Sequence, residues 1–254
     1  MSKKYNLSID EIVSILCKFS DEEIEGFDES EIIKTEEKLG IKFPTIYKKY
    51  MMLCGKNSIN YDFNRMNNLE EITSNFIYLE ENIEEEIEYI DKIDDEEKKK
   101  KAIEESKFYK FKNISKERYD ELTDEYILIW SENQGCWDAA YLKKDIINQV
   151  EDVPVYISTE MDYYTFDDKT ETTYDFIKEM LSMSGCEEYI DNHDSIIEIM
   201  NEDDIDIDIM CKDGINSCYD TEKDILYFYY KINGYEVFTI SYGKYFEDDD
   251  DECE

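Results

Sequence analysis

Few residues in this chain have the type and spacing that chemistry needs. The lone histidine, His193, sits in Asp191-Asn192-His193-Asp194, a turn-like polar patch that reads as surface, and a histidine-based triad has no second candidate. No G-x-S-x-G elbow or glycine-rich phosphate loop occurs, and eight glycines leave little to build one from. The seven cysteines (Cys17, Cys54, Cys136, Cys186, Cys211, Cys218 and Cys253) are scattered, odd in number and without a CxxC pair, so neither zinc spacing nor a disulfide framework is expected. Cys211 and Cys218 flank an expected hairpin, where burial as small apolar side chains is the better reading. Carboxylates number 66, so a pair close enough for acid–base hydrolysis is an open alternative, but closeness among so many carries little information. The acidic run Asp203-Asp204, Asp206, Asp208 and the acidic end of the chain lack the loop spacing of a calcium site. No catalytic residue, metal ligand or cofactor is therefore assigned, and the chain is read as not an enzyme.

One polar cluster stands out. Glu132-Asn133-Gln134, with Trp137 and Asp138, lies in the stretch Ile127 to Tyr141, where two runs of bulky β-formers meet at a corner from Ser131 to Gly135. Amides there can bond the backbone of a bulged strand and fix its twist, which is the weightier reading. A carboxylate, two amides and a tryptophan also make a compact recognition spot, so Glu132, Asn133, Gln134, Trp137 and Asp138 are the candidate partner-binding residues.

The elements that must position this corner follow from periodicity. Ser8 and Glu11 form a capping box ahead of a helix over 9–19. Asp28 or Ser30 opens a second helix that stops at Gly40, and Pro44 starts a third that runs to Gly55, making an αα-corner. Residues 60–75 read as loop with a short strand near Tyr61–Phe63. Over 76–110 acidic Glu80–Glu88 precedes basic Lys98–Lys101 with isoleucines at helical intervals, which predicts one or two exposed charged helices; the lysines read as a solvated face rather than a nucleic-acid patch. Strands are expected over 125–130, 136–142 and 153–158. Thr172 or Thr173 then caps a helix that stops at Gly185.

After Gly185 a short helix at 194–200 precedes a period-2 strand through Ile205, Ile207 and Ile209. Asp213-Gly214 and Asn233-Gly234 signal two hairpins, giving a meander of about four strands. The expected fold is α+β: a mixed or antiparallel sheet with flanking helices over 1–185, an inserted charged helix at 76–110, a C-terminal β-meander over 186–246 and a disordered acidic tail over 247–254.

With the elements in order, the chain resembles the SMI1/KNR4 (SUKH) superfamily over roughly residues 28–185. Ile32 to Pro44 with Tyr47 and Tyr50 is similar to the family's E-x-x-L-G-x-x-φ-P-x-x-Y helix pair (φ apolar), Ser131 to Gly135 with Trp137 to its E-N-Q-G strand corner, and Asp152 to Tyr156 with the helix around Phe176 to its D-P-x-V-Y strand and closing helix. Cys54-Gly55 stands where the family usually has Asn-Gly, and Val153 precedes Pro154. The resemblance implies an α+β, non-catalytic protein-binding protein: first an immunity protein that neutralises a cognate toxin, often a nuclease, by occlusion. The alternative it implies is a regulatory or scaffold interaction protein, cellular or viral.

Composition fits a protein partner. With 28 basic residues against 66 acidic ones the net charge is −38, which repels nucleic acid and anionic membrane and favours a basic partner, although such charge also serves solubility. The hydrophobic share of 41% still supports a core. The start of the chain has no apolar signal region, no apolar run approaches the ~18 residues of a membrane span, and the unpaired cysteines suit a reducing compartment. Cytoplasm is the expected location. An edge strand of the meander leaves a homodimer open.

Overall fold

Side-chain caps fix where most helices begin, and left-handed residues mark several of their ends. The computed structural model of the protein describes residues 2–61, 64–106, 108–116, 119, 124–132, 136–158, 166, 168–170, 172–232 and 234–243. The fold is α+β, with helices flanking antiparallel sheets. Helix α1 (Ile9–Phe19) opens with the expected box: Ser8 Oγ accepts from the Glu11 N–H at 3.4 Å, and the Glu11 carboxylate accepts from the Ser8 N–H at 2.9 Å. Helix α2 (Glu29–Leu39) ends at Gly40, whose φ of +67° only glycine adopts without a Cβ penalty. Helix α3 (Thr45–Cys54) begins one residue after Pro44. The expected acidic tail lies outside the described residues.

The chain divides into two compact units, Met1–Glu29, Ile46–Arg65 and Glu171–Glu254 against Ser30–Thr45 and Met66–Thr170. These boundaries fall elsewhere than the linear division expected at residue 185, and they place α2 and nearly all of α3 in different units.

In the first unit five strands run in the order β1 (Lys3–Tyr5), β9 (Asn216–Asp220), β10 (Ile225–Ile232), β11 (Tyr235–Tyr242), β8 (Glu188–Ile190). The β9–β10–β11 run is the expected meander. Ile232 pairs with Tyr235 and Gly234 takes φ +84°, while Asn233 lies outside the described residues. Tyr227, Tyr229, Phe238, Ile240 and Cys218 pack with Ile196 and Met200 of helix α7 (His193–Glu202) and Met210 of helix α8 (Ile207–Met210). On the opposite face Leu226, Phe228 and Val237 are buried, and Thr239 Oγ1 donates to the Ser182 carbonyl of helix α6 (Thr173–Met183) at 2.9 Å. Thr172 caps α6 by accepting from the Asp175 N–H at 3.0 Å.

The structure corrects two local expectations and adds a strand that was not expected. Ile205, Ile207 and Ile209 do not make a strand: Asp206 accepts from the Ile209 N–H at 3.1 Å and caps α8, so the alternating aspartates serve a helix N-terminus rather than a solvent face of a sheet. Asp213-Gly214 is no hairpin, because α8 and not a strand precedes it; Gly214 (φ +89°) turns the chain into β9. The three residues of β1 carried no periodic signal, yet they pair with β9 from the far end of the chain.

β2 (Asn64–Met66) lies where the chain passes from the first unit to the second; in the second unit the strand order is β4 (Tyr126–Glu132), β5 (Asp138–Leu142), β6 (Tyr156–Ser158), β7 (Asp168–Lys169), with β3 (Thr73–Ser74) on β4. The short strand expected near Tyr61–Phe63 thus falls at 64–66; residues 62 and 63 lie outside the described ones. Helices α4 (Phe76–Asp91) and α5 (Glu96–Glu105) are the expected charged insertion. They differ in kind: α4 buries Leu79 and Ile83 against Phe111, whereas α5 has no buried residue. Of the one or two exposed helices expected, α5 fits, having no buried residue, whereas α4 packs one side inward.

One buried carboxylate organises the exit of α2. Glu36, 1% exposed, accepts from the Phe43 N–H at 3.0 Å and from Lys42 Nζ at 3.1 Å, while the Ile41 N–H donates to the Glu36 carbonyl at 3.0 Å. The turn so closed then grips the segment after β5. The Lys42 N–H donates to Ile146 O at 2.6 Å, the Thr45 N–H to Val150 O at 2.9 Å, and Gln149 Nε2 to Phe43 O at 2.9 Å. Truncating Glu36 leaves a buried N–H unpaired. Glu36→Ala is expected to lower the unfolding free energy in urea by about 2 kcal/mol. Glu36→Gln, which keeps an acceptor oxygen, is expected to lose less, and equal losses would show that the Phe43 contact is not the source.

Candidate functional site

The β4–β5 hairpin is built from Ile127, Leu128, Ile129 and Trp130 against Ala139, Ala140 and Tyr141, all buried. A bulge between Leu128 and Trp130 shifts the register, so Leu128 faces Ala140 and Trp130 faces Ala139. Beyond the bulge Ser131 comes opposite Asp138, and its hydroxyl donates to Asp138 Oδ1 at 2.6 Å. The strand continues to Glu132, two residues further than periodicity suggests, because the Glu132 N–H donates to Trp137 O at 3.0 Å. The Glu132 carboxylate in turn accepts from the Cys136 N–H at 3.0 Å.

Of the five candidate binding residues, Glu132 and Asp138 are buried and Trp137 is half-buried. Asn133 and Gln134 lie outside the described residues. Glu132 and Asp138 therefore act on the hairpin itself, as acceptors for an N–H and a hydroxyl, and Trp137 is the described candidate with side-chain surface left for a partner. Asp138 also faces Ser158 on β6, whose hydroxyl is buried and has no hydrogen-bond partner among the described residues. Burial pushes the Asp138 carboxyl above its ordinary value, and the Ser131 hydroxyl offsets part of that. Nothing in the sequence pairs Ser131 with Asp138, because the bulge sets their register, and the inward turn of Glu132 has no sequence signal.

Groups with reactive chemistry elsewhere are held in quiet states. His193 is the exposed first residue of α7, and its Nδ1 bonds Glu236. Glu236 also pairs with Lys231 Nζ at 3.0 Å. The His193 bond first, then Lys231, holds the Glu236 carboxyl at about 2. Burial pushes the thiols of Cys17 and Cys218 up to about 11 and that of Cys54 to about 12, so they stay protonated. Cys136 is exposed, and partial desolvation with the Glu132 carboxylate beside it raises its thiol as well. Cys211 and Cys218 both line the first unit's core, as free thiols. Among the described residues no group of three His, Cys, Asp or Glu is placed to hold a metal ion, and no helix is long and apolar enough to cross a membrane. No family model matches the chain, and neither a curated protein nor a solved structure does.

Two titrations follow. The raised Asp138 value means that the native state holds this proton more tightly than the unfolded chain. Stability should therefore fall as pH rises through the folded value and return in acid. Asp138→Asn, which keeps an acceptor for Ser131, is expected to melt higher than the parent at neutral pH and to lose that advantage in acid; a lower melting temperature at neutral pH would mean that the charge itself is required. Glu236 has the opposite sign. Its contribution is present above the ordinary value of 4.5 and lost as pH falls towards 2, so Glu236→Gln should be less stable at neutral pH and show a shallower loss across that window.

Proposed function

We propose that the protein is a non-catalytic binding protein that neutralises a cognate basic toxin, of the nuclease kind that the SUKH resemblance implies, by covering its working surface. The observation that carries this reading is the excess of 38 negative charges and where the fold leaves them. Helix α4 turns Leu79, Ile83 and Ile90 inward and presents Glu81, Glu84, Glu85 and Glu88 to solvent. Carboxylates in such numbers repel nucleic acid and speed encounter with a cationic protein. A nuclease keeps a cationic groove for its phosphate backbone, and a dense carboxylate face occupies such a groove without turnover.

A regulatory or scaffold role in the same resemblance is the second reading. It is favoured by exposed aromatics in separate places, Tyr89 on α4 and Tyr189 and Tyr235 in the other unit, which suit several small contacts. Both readings place the protein among binding proteins.

Capture of partners on the tagged chain from its native cells, washed at low and high salt and read by mass spectrometry, separates them. Toxin neutralisation is expected to yield one strongly basic partner at near-equal stoichiometry that added salt releases. A spread of weaker partners supports the scaffold role, and a basic partner retained at high salt would remove electrostatics from the mechanism.

A further inference from the structure

We propose that the outer edge of β8 is a docking site for an extended, lysine- or arginine-rich segment of a partner protein, which adds to the sheet as a sixth strand; this rests on the basic-partner reading above and names the surface. β8 ends the sheet order, and among the described residues no strand pairs with its outer side. The backbone stays extended beyond it to Asn192 (φ −97°, ψ 118°). A sheet edge offers alternate N–H and C=O groups to an added strand.

Side chains around this edge select the occupant. Residues 179–211 contain eleven carboxylates and no lysine or arginine. Of these Glu187, Glu188, Asp191 and Asp194 are exposed along or just beyond the strand. Two large aromatics stand open beside them, Tyr189 at 54% and Tyr235 at 71% exposure. Tyr189 lies opposite Thr239, and Tyr235 precedes Thr239 by four residues on the same strand, so alternation puts both rings on one face. Their spacing along the sheet is about 14 Å, a reach that five extended residues span. An incoming strand would then run past Tyr189 on β8 towards Tyr235, which stands one strand inward on β11, with carboxylates around both.

The same charges argue against a second copy of the chain. Antiparallel pairing of β8 with its own copy crowds carboxylates together, and in the register centred on Tyr189 it sets Glu187 opposite Asp191 at both ends. The basic strand β1 offers no substitute, because Lys3 is paired with Asp220 and Lys4 with Glu11. A cationic segment from another protein meets neither obstacle.

The test uses the full chain and a fluorescent peptide of alternating lysine and valine, with a peptide of the same sequence N-methylated at alternate residues as the backbone control. Binding at low salt is followed by anisotropy, and amide exchange locates the contact. The proposal expects protection of residues 188–192, loss of binding by the N-methylated peptide, and weakening by about tenfold in the E187K/D191K double variant and in Tyr189→Ala, both with parental melting temperatures. Equal binding of the two peptides, unchanged affinity of both variants, or protection on α4 instead of β8 overturns the edge assignment while leaving a basic partner in place. Failure of the peptide to bind at low salt overturns both. A dimer of the chain that the peptide dissociates would assign the edge to a second copy and overturn the proposal too.

Discussion

Self-repulsion is the constraint that this fold has to satisfy: 38 excess negative charges must be kept in water or matched to donors. The carboxylates that go inside show how the matching is done. Glu36 takes the Phe43 N–H at the exit of α2, Glu132 takes the Cys136 N–H at the β4–β5 corner, and Asp220 takes the N–H groups of Glu222 and Lys223 between β9 and β10. Each closes a turn, and two of the three add an ammonium, Lys42 for Glu36 and Lys3 for Asp220. A carboxylate is a strong acceptor for backbone N–H groups, so acidity that would otherwise oppose compaction fixes the geometry of connections in both units. Asp138 departs from this pattern. Its described partner is a neutral hydroxyl, which leaves it the buried carboxylate whose burial outweighs its bonding.

Much of this was legible where the chemistry is local. The Ser8–Glu11 box, the Gly40 stop, the Thr172 cap and the Asn233-Gly234 turn each depend on residues within a few positions of one another, and each marks an element boundary within a residue or two. Legibility failed where two local codes share one pattern. Isoleucine alternating with aspartate at 205–209 fits a strand face, and it equally fits a helix start with Asp206 as cap and Asp208 in the first turn. What decides is Met210, which joins Ile196, Met200 and Ile205 in the core, and its burial depends on elements far along the chain. β1 is invisible for the same reason: three residues have no period, and their partner lies more than two hundred residues away.

The candidate corner was legible as a place and not as a set of roles. Turn residues between two apolar runs locate a hairpin, but whether its acids face out or in depends on the bulge near Ile129, which sets the register that brings Ser131 opposite Asp138. Once that register is fixed, Glu132 and Asp138 are committed to the hairpin, and the polar cluster that looked like a recognition spot becomes a closure of the strand with Trp137 at its rim. The role of Glu36 was hidden differently. Its position in the E-x-x-L-G-x-x-φ-P pattern is plain, yet nothing in the pattern says that its side chain crosses the turn to the Phe43 N–H.

The division of labour among carboxylates bears on what the protein does. Those that close turns are buried and matched, so they contribute little outside field; others, such as Glu81, Glu84 and Glu85 on α4 and Glu187 and Asp191 beside β8, stand exposed to solvent, where their field reaches a partner. A binding site made this way needs no deep pocket. The field sets the rate of encounter and rejects anionic competitors, while affinity has to come from the few groups that can be desolvated: an exposed backbone edge and aromatic rings such as Tyr189 and Tyr235. Charge alone, in water and physiological salt, gives contacts that exchange quickly. In the proposed docking site, a strand edge unpaired among the described residues, two open tyrosines and a stretch of chain without a lysine or arginine would together turn a general acidity into a place where one partner is held.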